Sequence, residues 1–369
     1  MNFQFYRNVL LKALILLVIL NLILVFVPMP SGGKQLSLYN TILPGRERFP
    51  FGEAPQQAYN FSLYDLDAMF ESHVVADKTQ NLNEYRVFLI GDSSVWGTML
   101  KPEETLSGYL NDMDLNCGDQ KVKFYNLGYP TISLTKDLMV MQRAMQYQPD
   151  LIIWLTTLEA FPLDKQLASP LADNNPQRIH PLIEKYNLPL QISEPENDIL
   201  TRSLWGQRRA YADWIRLQLY GFLWAATGID QFYDEYEPAA WDLEADQNYY
   251  GFAPPELPND QLLWQALPAA QDIAGDTPLW IINEPIMISE GENSDIRYNF
   301  FYPRWAYDQY REELATRTQL LEIPYIDAWD WIDPREYTNS AIHLTPEGQK
   351  EFAKQLAKDL QQRRRSASK

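Results

Sequence analysis

Two stretches of the chain hold side chains suited to nucleophilic chemistry. The first is Val87-Phe88-Leu89-Ile90-Gly91-Asp92-Ser93-Ser94-Val95-Trp96-Gly97, an apolar strand-like run that breaks into a turn carrying a serine. A turn of this kind at the carboxyl edge of a parallel sheet lifts a hydroxyl to where a substrate can reach it. The second is Ile342-His343-Leu344-Thr345-Pro346-Glu347-Gly348, with a histidine just ahead of a helix start. A serine hydroxyl is a weak nucleophile until a base takes its proton, and imidazole suits that task near neutral pH. The other two histidines have blander readings: His73 as an exposed or capping residue after a short helix over 62–70, and His180 as a surface residue.

The elements that must bring Ser93 and His343 together are legible as an alternation of strands and helices from Tyr85 onward, the pattern of a parallel sheet covered on both faces. Strands are expected over 86–90, 122–127, 150–156, 279–283 and 325–328. Helices are expected over 102–113, 133–146, 304–321 and 346–362, with Ser133 and Thr345 as caps. Between the third and fourth strands lies an insertion, residues 160–275, much longer than an ordinary connection.

The Gly-Asp-Ser turn after the first strand and the late His-Leu-Thr-Pro-Glu-Gly resemble the first and last conserved blocks of the SGNH, or GDSL, hydrolase family. The resemblance covers roughly residues 84–360. It implies a three-layer α/β/α sandwich around a flavodoxin-like parallel sheet, a Ser93 nucleophile and a His343 base. Gly128, in Asn126-Leu127-Gly128, matches the second block, whose backbone N–H holds the oxyanion together with that of Ser93.

Two blocks depart from the family. Its third block reads Gly-x-Asn-Asp, whereas Thr156-Thr157-Leu158-Glu159 stands here, with Leu158 in place of the oxyanion-binding asparagine. Loss of one such donor costs about 3 kcal/mol, or on the order of a hundredfold in rate. Thr156, Thr157 or Asn283 are the candidate replacements, and Asn283 alone among them offers an amide. The aspartate that orients the histidine is replaced by Ser340, preceded by Asn339. Asn339 can orient the ring through its amide oxygen. Asp327, Asp330 and Asp333 lie upstream as charged alternatives, although Asp333 before Pro334 reads as a turn residue.

After the fourth strand, residues 291–308 combine Arg297, Asn299 and Arg304 with several aromatic rings. This density suits a substrate-orienting loop; the alternative is a packed loop whose arginines pair locally. Within the insertion, Thr201 to Thr227 carries Leu204, Trp205, Trp214, Ile215, Leu219, Phe222 and Trp224 with several arginines. That composition fits a helix packed on the domain, the reading placed first, or one lying on a membrane surface. Trp241, Tyr249, Tyr250 and Phe252 stand among carboxylates farther on, as in sugar-binding surfaces or as in a solvated loop.

The first thirty residues frame the rest. Arg7 and Lys12 precede an apolar run from Ala13 to Val27 interrupted only by Asn21. Residues 9–27, about 19 at ~1.5 Å each, give ~28 Å, enough to span a bilayer core. Cations before the run place the N-terminus in the cytoplasm and the remainder outside, and no small-residue cleavage site follows. The expected organisation is a cytoplasmic tip and anchor over 1–30, a stalk or packing segment over 31–83, and an SGNH-like domain over 84–365. A net charge of -18 without an acidic tail argues against nucleic-acid partners. The single cysteine, Cys117, allows no intrachain disulfide, and neither a clustered metal-ligand set nor a glycine-rich phosphate loop is present in the sequence, so no metal or cofactor is expected. With 46% hydrophobic residues the fold must hold by its core.

These readings converge on a membrane-anchored, extracytoplasmic serine esterase or O-acyltransferase. Its substrates would be small acyl esters, acetyl above all, of an envelope glycan. The alternative is an inactive descendant of the fold that binds a glycan or acts as a scaffold.

Overall fold

The computed structural model describes residues 3–26, 45–51, 65–76, 83–191, 199–208, 211, 212, 215, 219 and 237–367. In chain order the helices are α1 (Phe3–Phe26), α2 (Leu66–Glu71), α3 (Ser93–Trp96), α4 (Leu106–Asp112), α5 (Leu134–Ala144), α6 (Pro170–Asp173), α7 (Pro176–Tyr186), α8 (Ile199–Arg202), α9 (Ala266–Ala274), α10 (Arg304–Leu320) and α11 (Pro346–Ala367). The strands are β1 (Glu84–Ile90), β2 (Asn116–Cys117), β3 (Gln120–Asn126), β4 (Leu151–Thr156), β5 (Leu279–Asn283) and β6 (Tyr325–Asp327).

The six strands lie in the order β2-β3-β1-β4-β5-β6. All neighbours are parallel except the short edge strand β2, which runs antiparallel to β3. The chain therefore begins in the middle of the sheet, builds one side with β3 and then crosses to the other with β4. At the carboxyl end of β1 the two directions of winding part, the position at which doubly wound sheets hold their ligands.

Apolar side chains alternate between two cores. Phe88, Ile90, Ile152, Trp154 and Ile281 face one side, where α5, α9 and α10 bring Leu138, Leu267 and Tyr310. Val87, Leu89, Ile153, Leu155 and Ile282 face the other, against Leu106 and Leu110 of α4 and Phe352 and Leu356 of α11. A large apolar side chain enclosed in this way contributes roughly 1.5–3 kcal/mol. The result is a three-layer α/β/α arrangement.

The described part of the segment before β1 is integral to the first core. Phe49, Leu66, Met69, Phe70 and Val75 are buried in it. Asp65 caps α2 by accepting from the Ala68 N–H at 3.1 Å. Asp67 holds Arg143 of α5 and Arg178 of α7, each at 2.7 Å. His73 is fully buried here and not exposed: its Nε2 lies 3.1 Å from the Glu47 carbonyl, and its Nδ1 accepts from the Val75 N–H at 3.1 Å. His180 is half-buried on α7.

The large apolar residues described between 199 and 219 are mostly exposed and not packed on the domain, and most of the segment read as a packed helix, residues 201–227, lies outside the described residues. Ile199, Leu200 and Trp205 are 71%, 63% and 69% exposed, and Ile215 and Leu219 are exposed as well. Trp214, Phe222 and Trp224 lie outside the described residues. Tyr249, grouped by sequence with a possible sugar surface, is instead part of the first core. Helix α1 keeps its apolar side chains exposed along its length, with Val25 its one buried residue.

Candidate active site

The serine turn is fixed from every side. Asp92 caps α3, its Oδ1 accepting from the Ser94 N–H at 2.8 Å, so Ser93 opens the helix with its own N–H facing outward along the axis. Gly97 closes the same helix at φ 86°, and a β-carbon there would meet Thr105 Cγ2 at 2.5 Å. Asn126, ending β3, donates from Nδ2 to the Val95 carbonyl at 2.7 Å while its Oδ1 accepts from the Gly128 N–H at 3.1 Å. Gly128 passes so close that a β-carbon would lie 2.5 Å from the Trp96 nitrogen. From the segment before β1, Arg48 donates from Nη1 to the carbonyls of Gly97 and Leu100, both at 2.9 Å, and its guanidinium lies 3.8 Å from the Trp96 ring.

His343 arrives on the loop between β6 and α11. An isolated bridge pairs Tyr337 with Leu344, Thr338 N–H donates to the His343 carbonyl at 2.9 Å, and the Met287 N–H ties the loop to the end of β5 through the Ala341 carbonyl at 2.8 Å. The ring Nε2 lies 2.8 Å from Ser93 Oγ. That nitrogen accepts the serine proton only in the tautomer with hydrogen on Nδ1. The ring is half-buried, with its Nδ1 end fully enclosed. Burial brings the imidazole down to about 4 against the opposing pull of the Asp92 charge, so the ring is neutral near pH 7 and able to act as a base.

The residues proposed from sequence to orient the ring do not reach it. Asn339 is exposed and its Oδ1 accepts from Thr338 Oγ1 at 3.4 Å. Ser340 Oγ accepts from the Ile342 N–H at 3.4 Å. Asp327 is held by Arg311 at 2.7 Å, and Asp333 by the Arg335 side chain at 2.6 Å and its backbone N–H at 2.9 Å. His343 Nδ1 is buried with no hydrogen-bond partner among the described residues, a deficit of about 1–3 kcal/mol.

The proposed oxyanion donors are likewise sorted by their partners. Asn283 is fully buried, donating from Nδ2 to Asp327 at 2.9 Å and accepting from the Tyr307 hydroxyl at 3.2 Å. Its amide is a core fastener and not a free donor. Thr157 Oγ1 pairs with the Tyr302 hydroxyl at 2.9 Å, whereas Thr156 Oγ1 is buried without a partner among the described residues. Leu158 is fully enclosed in the first core, and the Gly128 N–H is already engaged by Asn126.

Arg297, Asn299 and Arg304 need the same correction, because they staple their loop to itself. Arg297 is 6% exposed and donates to the carbonyls of Asp246, Asn299 and Phe300 at 2.6, 3.1 and 3.0 Å. Asn299, fully buried, donates to the Met287 carbonyl at 2.9 Å and accepts from the N–H groups of Phe301 and Tyr302 at 2.9 and 3.0 Å. Arg304 donates to the Ser294 carbonyl at 2.6 Å and covers the Tyr298 ring at 4.2 Å.

Sequence reasoning missed a buried charged layer beneath the turn. Lys136 on α5 is fully buried; its ammonium lies 2.6 Å from Asp137 Oδ1 and donates to the carbonyls of Gly91 and Tyr129 at 2.8 and 3.1 Å. Asp137 Oδ2 accepts from the Trp154 indole at 3.0 Å. Glu284, directly after β5 and 2% exposed, accepts a hydrogen bond from Ser94 Oγ through Oε2, while its Oε1 is enclosed without a partner among the described residues. Burial, reinforced by the charge of Asp92, raises the Glu284 carboxyl well above its ordinary range, which favours its protonated form. The one available signal was position: Glu284 follows the last residue of a predicted strand, on the same sheet edge as Ser93.

No protein-family model and no curated protein matches the chain. Among solved structures, it is similar to the native aryl esterase of M. smegmatis at 10% identity and a TM-score of 0.35, over 75% of this chain and 98% of that one. It is also similar to a carbohydrate acetylesterase of Sinorhizobium meliloti at 12% identity and a TM-score of 0.34, over 74% of this chain and 97% of that one.

Proposed function

We propose that the chain is a serine esterase or O-acyltransferase of the SGNH type, acting on small acyl esters, acetyl above all, of envelope glycans. The observation that carries this reading is the Ser93 Oγ to His343 Nε2 distance of 2.8 Å, with a ring that is neutral near pH 7. A nucleophile and base within hydrogen-bond reach are the minimum for acyl transfer. In the first step the Ser93 proton passes to His343 Nε2 as Oγ bonds to the acyl carbon. The outward N–H of Ser93 faces the developing oxyanion. Collapse breaks the ester C–O bond, and His343 returns the proton to the leaving alcohol. Water or a second hydroxyl then repeats the sequence on the acyl-enzyme, giving hydrolysis or transfer.

The apolar 24-residue helix α1, with no acidic residue in its first turn and carrying Arg7 and Lys12, supports a single anchor with its N-terminus in the cytoplasm and the α/β domain outside. The organisation that follows is an anchor over 1–30, a packing segment over 31–83 and the SGNH-like domain over 84–365.

A second reading, an inactive glycan-binding or scaffold protein, is favoured by Leu158 and by the unpartnered His343 Nδ1. One experiment separates the two. The full chain in detergent is incubated with an activated acetyl ester and, in parallel, with a serine-directed fluorophosphonate, beside Ser93→Ala. Turnover or labelling that vanishes in the variant supports the enzyme. A folded protein that does neither refutes it.

A further inference from the structure

A polar residue inside an apolar span is costly unless it finds a partner. Asn21 is the one polar side chain in the run from Ala13 to Phe26. It has a partner from far along the chain: its Oδ1 accepts from the Leu204 N–H at 3.0 Å, while its Nδ2 donates to the Leu17 carbonyl at 3.3 Å. The bond pins the turn after α8 against the outer part of α1.

Depth follows from helix geometry. Twenty-four residues make α1 about 36 Å long, somewhat more than the ~30 Å hydrocarbon layer. Asn21 lies five residues in from Phe26, or ~7.5 Å at ~1.5 Å per residue, and Leu204 must sit at that level. Interfacial segments bury their apolar side by about 5–10 Å. At this depth Ile199, Leu200 and Trp205 are 71%, 63% and 69% exposed, an unusual concentration of bare apolar surface. Arg202 and Arg208 are exposed in the same segment, and the Arg208 guanidinium lies 5.1 Å from the Trp205 ring. An aromatic ring with an adjacent cation suits the boundary between acyl chains and headgroup phosphates.

We propose that residues 199–208 are a second membrane contact, seated in the leaflet that faces the α/β domain and locked to the span by the Asn21–Leu204 hydrogen bond. This rests on the reading of α1 as a bilayer span. The bilayer is the occupant because the bond to α1 fixes the segment at lipid depth. In consequence the domain is held against the bilayer at two points, and acyl esters carried close to the membrane surface are the ones presented to it.

The test uses the full chain, with Cys117→Ser, reconstituted in phosphatidylcholine vesicles. An environment-sensitive fluorophore is placed at Trp205→Cys or Leu200→Cys, at Leu17→Cys within α1, and at Glu256→Cys on an exposed loop of the domain. Quenching is compared for lipids with a nitroxide high on the acyl chain and near its end. The proposal expects the labels at 200 and 205 to be quenched by the shallow nitroxide at least about twofold more than by the deep one, with position 256 unquenched by either. Quenching at 17 but not at 200 and 205 overturns it while leaving the anchor intact. A shifted emission at 205 that depends on protein concentration, with no lipid quenching, assigns the patch to a second copy and also overturns it. Absence of quenching at 17 refutes the anchor itself, and the second contact falls with it.

Discussion

Replacing Glu284 by glutamine and by alanine should give opposite results. Because burial favours the protonated carboxyl, glutamine reproduces the charge of that form and nearly its shape, and its amide oxygen still accepts from Ser94 Oγ. Alanine leaves the Ser94 hydroxyl without its acceptor, about 1–3 kcal/mol, and opens a void beneath the serine turn that adds roughly another 1–2 kcal/mol. Below the ordinary carboxyl value Glu284→Ala should therefore lose about 2–5 kcal/mol, and Glu284→Gln less than about 1 kcal/mol; at higher pH glutamine gains. The sign of the gain comes from linkage. Above its ordinary value the carboxyl is ionised in the unfolded chain and protonated in the folded one, so the folded state binds more protons. That contribution is fully present below the unfolded value and is lost as pH rises toward the folded one, by about 1.4 kcal/mol per unit. Neither variant has such a loss, so as pH rises above the ordinary carboxyl value Glu284→Gln should overtake the wild type and the deficit of Glu284→Ala should shrink in parallel. Urea unfolding of the detergent-solubilised chain at several pH values measures this. Equal destabilisation by both substitutions at pH 7 would refute the protonated carboxyl, since only an ionised group is lost alike in both.

Other outcomes follow from the same geometry. With the neutral His343 ring as base, kcat/KM for an activated ester should be flat from about pH 6 upward and fall with a midpoint at about 4; a midpoint near 6.5 would mean that the Nδ1 end is open to solvent. Gly128→Ala would drive a β-carbon to 2.5 Å from the Trp96 nitrogen, shifting the serine turn. The expected result is a loss of about a hundredfold in kcat/KM with a stability cost of about 1–3 kcal/mol, read from ester hydrolysis and urea midpoints. Arg48→Lys should not be conservative, because one guanidinium both bonds the carbonyls that end α3 and stacks on Trp96. A lowered urea midpoint, equivalent to about 2 kcal/mol or more, checks it.

The sheet was legible because its strands are nearly pure apolar runs bounded by turn residues; β4, Leu151-Ile152-Ile153-Trp154-Leu155-Thr156, is buried at every position. Ser133 reads as a cap from sequence and accepts from the Lys136 N–H at 3.2 Å. By contrast β2, two residues long and held only by its antiparallel partner, has no pattern of its own. Charged side chains were the least legible. Nothing in the sequence marked Lys136, Asp137 or Glu284 as buried, and for Lys136 the burial comes from the packing of α5 beneath the β1 turn. Arg297 and Asn299 misled for the same reason: polar groups dense enough to bind a substrate are also dense enough to bond one another.

Sequence separation gives the site a timetable. Ser93 and His343 are 250 positions apart, and β4 and β5 pair across residues 157–278. During synthesis β1, β3 and β4 can zip together while the rest of the chain is still unmade, but closing so long a loop makes β5 and β6 late arrivals. The histidine comes later still, after β6. A nascent or C-terminally clipped chain thus holds a sheet and a serine with no base beside it, and any chemistry begins only once the last helix has docked.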